Sequence, residues 1–238
     1  MELRAHELGY QLLNEKVRNT GEDIVINECY GERFIGAGAS NKTITINGTP
    51  GNALGAYLDG ANIIVNGNAQ DATGDTMNDG NIIIYGNAGD ALGYAMRGGK
   101  ILVKGDAGYR TGIHMKEYKD KKPVIIVGGS TGSFLGEYLA GGLIIVLGLD
   151  SDSCPTGHFI GVGMHGGEIY IRSSNAPENL PEQVSMKVAD EQDIGRIQDY
   201  LSEFAKVFNI DIGEILSKPF YRLTPNGKNP YKKLYTEN

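Results

Sequence analysis

The sequence predicts an all-β fold, a right-handed single-stranded parallel β-helix of about seven coils with short helices at both ends. Three observations predict it. Glycines recur every 19 residues, at Gly48, Gly67, Gly86 and Gly105, and again at Gly55, Gly74, Gly93 and Gly112. A short burst of Ile and Val follows each beat. No helical period falls between the bursts, so each strand must pair parallel with its copy in the next coil. The right hand follows from the usual sense of parallel crossovers.

The elements follow in order. Residues 1–28 read as a capping helix and a lead-in strand: Leu8, Leu12, Leu13 and Val17 stand at helical spacing, and Gly21 stops them. Residues 29–172 carry the repeat, beginning with a degenerate unit from Cys29 to Asn47. Two insertions interrupt the beat, around "KEYKD" (Lys116–Asp120) and "DSDSCP" (Asp150–Pro155). Each burst supplies two alternating residues to one strand face, from Ile44 and Ile46 through Ile101 and Val103 to Ile169 and Ile171. All are β-branched, and such side chains pack well on a pleated surface. A second ladder, Leu58, Met77, Met96, Met115, Leu139 and Met164, reads as core filling rather than a metal strip. The glycines mark corners, where positive φ or close backbone approach is needed. "GNAGDALG" looks like a nucleotide loop, but it recurs and a strand follows it, which a dinucleotide fingerprint does not allow. Residues 173–238 begin with the link "NAPENLPEQ". A helix follows, with Ile194, Ile197, Leu201, Phe204 and Phe208 on one stripe. The final "KPFYRLTPNGKNPYKKLYTEN" shows no period and reads as an extended arm.

Composition narrows the partners. The net charge is -7 and no basic block occurs, so nucleic acid and anionic membranes are poor partners. The apolar run "LIIVLGL" is too short to span a bilayer, and the start lacks the apolar core of a signal peptide. Two cysteines, Cys29 and Cys154, suit a reducing cytoplasm and cannot supply the four thiolates of an ordinary iron–sulfur cluster.

Candidate functional residues fall into two groups. Between the inward pairs lies an apolar outer stripe with Ile64, Ile83, Leu102, Ile126 and Ile145. Contiguous apolar surface marks an interface, so either the terminal segments or another protein must cover it. The inserted loops supply His114, Lys116, Glu117, Tyr118, Cys154 and His158, read as protein contacts before catalysis. Cys154, His158 and His165 match no common zinc spacing. An independent enzyme acting on polysaccharides would need paired carboxylates, but Asp71, Asp75, Asp90 and Asp106 are scattered over corners. No catalytic, cofactor-binding or metal residue is assigned, and self-association stays open.

The repeated GxxGxxxG pattern, with "NAQDATGDTMNDG", "GYRTGIHMKEYKDKKPVIIVGG", "GEYLAGG" and "GVGMHGGEIYIR", resembles the C-terminal GXGXG domain of the glutamate synthase large subunit. One of the subunits of formylmethanofuran dehydrogenase, a tungsten or molybdenum enzyme, shares the pattern. The first resemblance implies a right-handed β-helix acting as scaffold beside an amidotransferase domain and an FMN-binding, iron–sulfur barrel. This chain begins Met1-Glu2-Leu3, without an amidotransferase cysteine, and is too short for the barrel. The resemblance therefore implies a non-catalytic subunit in nitrogen assimilation, with no cofactor of its own, whose separate partner chains hold the FMN and iron–sulfur clusters.

Overall fold

A computed structural model describes residues 1–227. The chain forms one sheet of eleven strands in the order β1-β2-β3-β4-β5-β6-β7-β8-β9-β11-β10. Strands β1 (Glu2–Arg4) to β9 (Gly166–Arg172) each pair parallel with the next. At the far end β11 (Phe220–Pro225) inserts antiparallel between β9 and β10 (Val184–Val188). Helix α1 (Ala5–Asn19) packs against β2 (Ile24–Tyr30), and α2 (Glu191–Phe208) lies on the outer face of the sheet.

This corrects the expected all-β, right-handed single-stranded parallel β-helix. The architecture is a single mixed sheet of mostly parallel strands with a few helices, α/β in type. The physical reason is twofold. Each repeat makes one strand, and its remaining sides are turns joined through single bridges such as Ala69 to Ala88 and Ala88 to Ala107. The C-terminal segment then adds two antiparallel strands that the 19-residue beat does not encode. The stretch read as an unstructured arm contains β11, and its residues 228–238 lie outside the described residues.

The register explains the beat. In β3 (Thr43–Thr49), β4 (Asp59–Asn66), β5 (Asp79–Ile84) and β6 (Lys100–Val103), Ile44 pairs with Ile63, Ile63 with Ile82 and Ile82 with Ile101. Across the insertions Ile101 still pairs with Ile125 of β7 (Val124–Val127), and Ile144 of β8 (Ala140–Val146) with Ile169. The extra residues are pushed into loops because a one-residue slip would turn every apolar side chain to the wrong face. These isoleucines are fully buried, as are Leu58, Met77, Met96, Met115, Leu139 and Met164.

One glycine column makes this stacking possible. A Cβ on Gly74 would stand 2.4 Å from Ile101 Cδ1, and one on Gly112 2.4 Å from Ile144 Cδ1. The missing side chain is the space that the isoleucine of the following repeat fills. Asparagine ladders support the rim: Asn47 Nδ2 donates to Asn27 Oδ1 at 2.6 Å, and Asn66 Nδ2 to Asn47 Oδ1 at 2.8 Å.

The ends are closed by packing and charge. Leu13 and Val17 of α1 join the interior cluster with Ile24 and Ile26. Helix α2 starts in a capping box, in which Asp193 N–H donates to Asp190 Oδ1 and Asp190 N–H to Asp193 Oδ2. The buried Asp193 carboxylate also meets Lys187 at 2.6 Å and Arg222 at 3.2 Å. Arg172 is buried too, but its partners are main-chain oxygens. It donates to the carbonyls of Ile215, Leu147 and Glu214, tying the short helix α3 (Ile212–Ile215) to the end of β8. Burial lowers its pKa.

Candidate functional site

The outer stripe is covered along half its length. Ile197, Leu201, Phe204 and Phe208 of α2 form one buried cluster with Leu102, Ile126, Ile145 and Tyr170. The chain's own C-terminal segment thus covers Leu102, Ile126 and Ile145. Ile83 is half-buried at the edge of that cluster, where Tyr85 meets Phe208 edge-on at 5.3 Å. Ile64 is half-buried beyond it, and Val25 is 39% exposed.

Burial under α2 also shapes local titration. Tyr170 is fully buried, and its hydroxyl has no hydrogen-bond partner among the described residues. Desolvation, with the Glu168 carboxylate next in weight, pushes its pKa up to about 12. On the interior side, burial pushes the Cys29 thiol up to about 12 as well. An uncharged thiol is a poor nucleophile.

The loop residues divide into an exposed strip and a cavity. His114 stacks on Tyr138 with centroids 5.0 Å apart and planes 8° apart, while Tyr94 meets its other side edge-on at 5.9 Å. Beside this column runs another. The Arg110 guanidinium lies 5.0 Å from the Phe134 ring centre, and Phe134 stacks on Phe159 at 4.9 Å. An Arg110–Glu137 ion pair at 3.0 Å links the columns. His114 and Phe159 are exposed, Phe159 by 55%. The backbone explains the alignment: Arg110, Phe134 and Phe159 all have φ near +60°, as do His114 and Tyr138, so equivalent turns aim equivalent side chains outward.

Sequence reading identified His114 but missed Arg110, Phe134, Tyr138 and Phe159. The available signal was a substitution within the repeat. Earlier turns carry Ala53, Ala72 and Ala91 where these carry Arg110, Phe134 and Phe159.

Lys116, Glu117 and Tyr118 sit on the exposed insertion next to His114. Glu117 Oε1 accepts from Gly142 N–H at 3.1 Å, and Tyr118 bridges to Lys121. Lys121 reaches Asp79 at 2.9 Å, which raises the lysine pKa and lowers that of the aspartate. Cys154 and His158 come together at a separate cavity of about 310 Å³, lined also by Ser153, Thr156, Asn175 and Glu178. Cys154 Sγ lies 3.3 Å from Thr156 Oγ1. No cluster of three or more metal-ligating side chains occurs among the described residues. The corner aspartates are engaged in the framework: Asp71 Oδ1 accepts from Asp90 N–H, Asp90 Oδ1 from Tyr109 N–H and Asp106 Oδ1 from Ser130 N–H. Among the described residues no helix is long and apolar enough to cross a membrane.

Residues 8–226 match the family described as the GXGXG motif. The chain belongs to that family. A GXGXG-family relative is an uncharacterised protein of Methanocaldococcus jannaschii, 44% identical over 98% of this chain and 95% of its own length. A similar solved structure is a chain of the formyltransferase/hydrolase complex of Methylorubrum extorquens, determined with methylofuran. It aligns with a TM-score of 0.63 at 24% identity, covering 84% of this chain and 72% of that one. At that identity the likeness shows the shared GXGXG fold alone.

Proposed function

We propose that this chain is the non-catalytic scaffold of a split glutamate synthase, which makes glutamate from glutamine and 2-oxoglutarate. It binds a separate amidotransferase chain and a separate chain holding FMN and iron–sulfur clusters, and itself holds no cofactor. Family membership supports a subunit role in a complex of this kind. The carrying observation is the pair of surface ring columns, Tyr94–His114–Tyr138 and Arg110–Phe134–Phe159. Aromatic and arginine side chains are the residue types that dominate protein interfaces. They stand here on turns whose geometry the core does not need them for. The two free cysteines and the acidic charge fit a cytoplasmic complex without nucleic acid or membrane.

One observation favours a second reading. The similar solved structure belongs to a formyltransferase/hydrolase complex, which fits a scaffold subunit of formylmethanofuran dehydrogenase. Purification of the tagged full-length chain from its own cells, read by mass spectrometry, separates the two. An amidotransferase and an FMN/iron–sulfur chain in stoichiometric amount support the first reading. A molybdopterin-containing partner establishes the second. A chain recovered alone, or one that turns over substrate unaided, overturns both.

A further inference from the structure

We propose that β10 pairs antiparallel with β10 of a second copy of this chain, joining two sheets across a two-fold axis. The sheet has two edges, β1 and β10. The first is guarded: it has three residues, two of them charged, Glu2 and Arg4. Short charged strands resist edge-to-edge pairing. The second edge has five residues and only one charge, Lys187. That lysine is turned towards α2, with Nζ 2.9 Å from Asp190 and 2.6 Å from Asp193. Met186 and Val188 are 37% and 59% exposed.

The hydrogen-bond phase leaves this edge open. Ala189 N–H donates to Phe220 O, and Asn226 N–H to Gln183 O. In an antiparallel ladder, bonding residues alternate. Odd-numbered residues of β10 therefore face β11, and Val184, Met186 and Val188 face away. Val184 N–H is already used, donating to Pro181 O at 3.0 Å, but its carbonyl is not needed there.

The strand is complementary to itself in one register. With Met186 on the two-fold axis, Met186 exchanges both main-chain bonds with Met186 of the second copy. Val188 N–H donates to the Val184 carbonyl of the second copy. Val184 stands opposite Val188, an apolar pair, and Ser185 opposite Lys187, so no like charges meet. This assembly would present two sets of partner surfaces, whichever catalytic chains the subunit serves.

The test uses the full-length chain. Sedimentation equilibrium of the wild type should show a concentration-dependent dimer. In a Cys154→Ser background, Met186→Cys should give a disulfide dimer with oxidised dithiothreitol, because paired Cα atoms about 5.5 Å apart suit a disulfide. Val188→Cys should not cross-link, since its symmetry mate lies about 13 Å away along the strand. Met186→Pro removes only an outward N–H, a position where an edge strand tolerates proline. It should weaken the dimer at least tenfold, roughly the loss of two hydrogen bonds, with an unchanged melting curve. Ser185→Lys, which sets two lysines opposite each other, should do the same and serves if the proline variant fails to fold. A wild-type monomer at about 100 µM, a dimer that survives both Met186→Pro and Ser185→Lys, or cross-linking at 188 instead of 186 overturns the proposal.

Discussion

Gly93→Ala tests the physical basis of the repeat. Gly93 has φ +66°, and a Cβ there would lie 2.5 Å from Ile125 Cδ1 and 3.4 Å from Ile125 Cγ1. Two effects add. A left-handed alanine costs about 1–2 kcal/mol, and overpacking of a dense core costs about 1–3 kcal/mol. The sum is about 2–5 kcal/mol, a fall in Tm of roughly 5–15 °C for a chain of this size. The neighbouring alanines decide which effect should dominate. Ala91 and Ala95 already stand at φ 55° and 51° in the same turn, so the fold tolerates left-handed alanine where space exists. The clash is the larger part. Ile125→Val removes the clashing methyl and alone costs about 0.5–1.5 kcal/mol. Combined with Gly93→Ala it leaves a 3.4 Å contact, so the double variant should be more stable than the sum of the singles by about 1–3 kcal/mol. Equilibrium urea unfolding followed by circular dichroism measures all four corners of this cycle. A Gly93→Ala variant within about 0.5 kcal/mol of wild type, or additive singles, would refute glycine as the space for the isoleucine ladder.

Three further outcomes follow from buried or paired groups. Tyr170→Phe removes a buried hydroxyl without a partner among the described residues, so stability at pH 8 should hold or rise by up to about 1 kcal/mol. The folded pKa of Tyr170, about 12, lies above the unfolded value near 10. Its contribution is thus complete below pH 10 and lost as pH rises towards 12, and urea melts of the Phe variant should show a shallower alkaline decline. Asp190 works in the opposite direction. The Lys187 ammonium holds its carboxyl at about 2, below the ordinary 3.8, so its contribution is present above about pH 4 and lost as pH falls through 2. Lys187→Met should flatten the acid limb of the stability–pH curve between about pH 4 and 2, and an unchanged limb would show that the ion pair is not responsible. Thiol titration should find Cys154 reactive in the native chain and Cys29 reactive only in denaturant, because burial holds the Cys29 thiol at about 12.

The periodic half of this fold is legible because stacking makes equivalent positions meet. Ile63, Ile82 and Ile101 are separated by one period and are paired neighbours in space, so a one-dimensional count locates a three-dimensional contact. The α2 stripe is legible for a similar reason, since Ile197, Leu201, Phe204 and Phe208 recur at helical spacing. What covers what is not periodic. Phe220–Pro225 belongs between β9 and β10 only because Tyr221 meets Ile171 on one side and Val188 on the other. Neither partner shares a spacing with it. The same limit applies to Cys154 and Glu178, which line one cavity without any regular interval between them.

A strict repeat can specify a core but not a partner, because every unit would offer the same surface. Specific recognition requires the units to differ, and the differences are concentrated. The alanine column becomes Arg110, Phe134 and Phe159, and the adjoining column becomes His114 and Tyr138 after Ala95. Those changes occupy the repeats around the insertions Lys116–Asp120 and Asp150–Pro155. In the same repeats the opposite sheet face is sealed by α2, which buries Leu102, Ile126 and Ile145. Sealing one face leaves the turn face as the differentiated surface of that end. The earlier repeats reverse this arrangement, with small residues at Ala53, Ala72 and Ala91 on the turns and Val25 exposed on the sheet. A scaffold built in this way offers different chemistry at its two ends while its interior stays uniform.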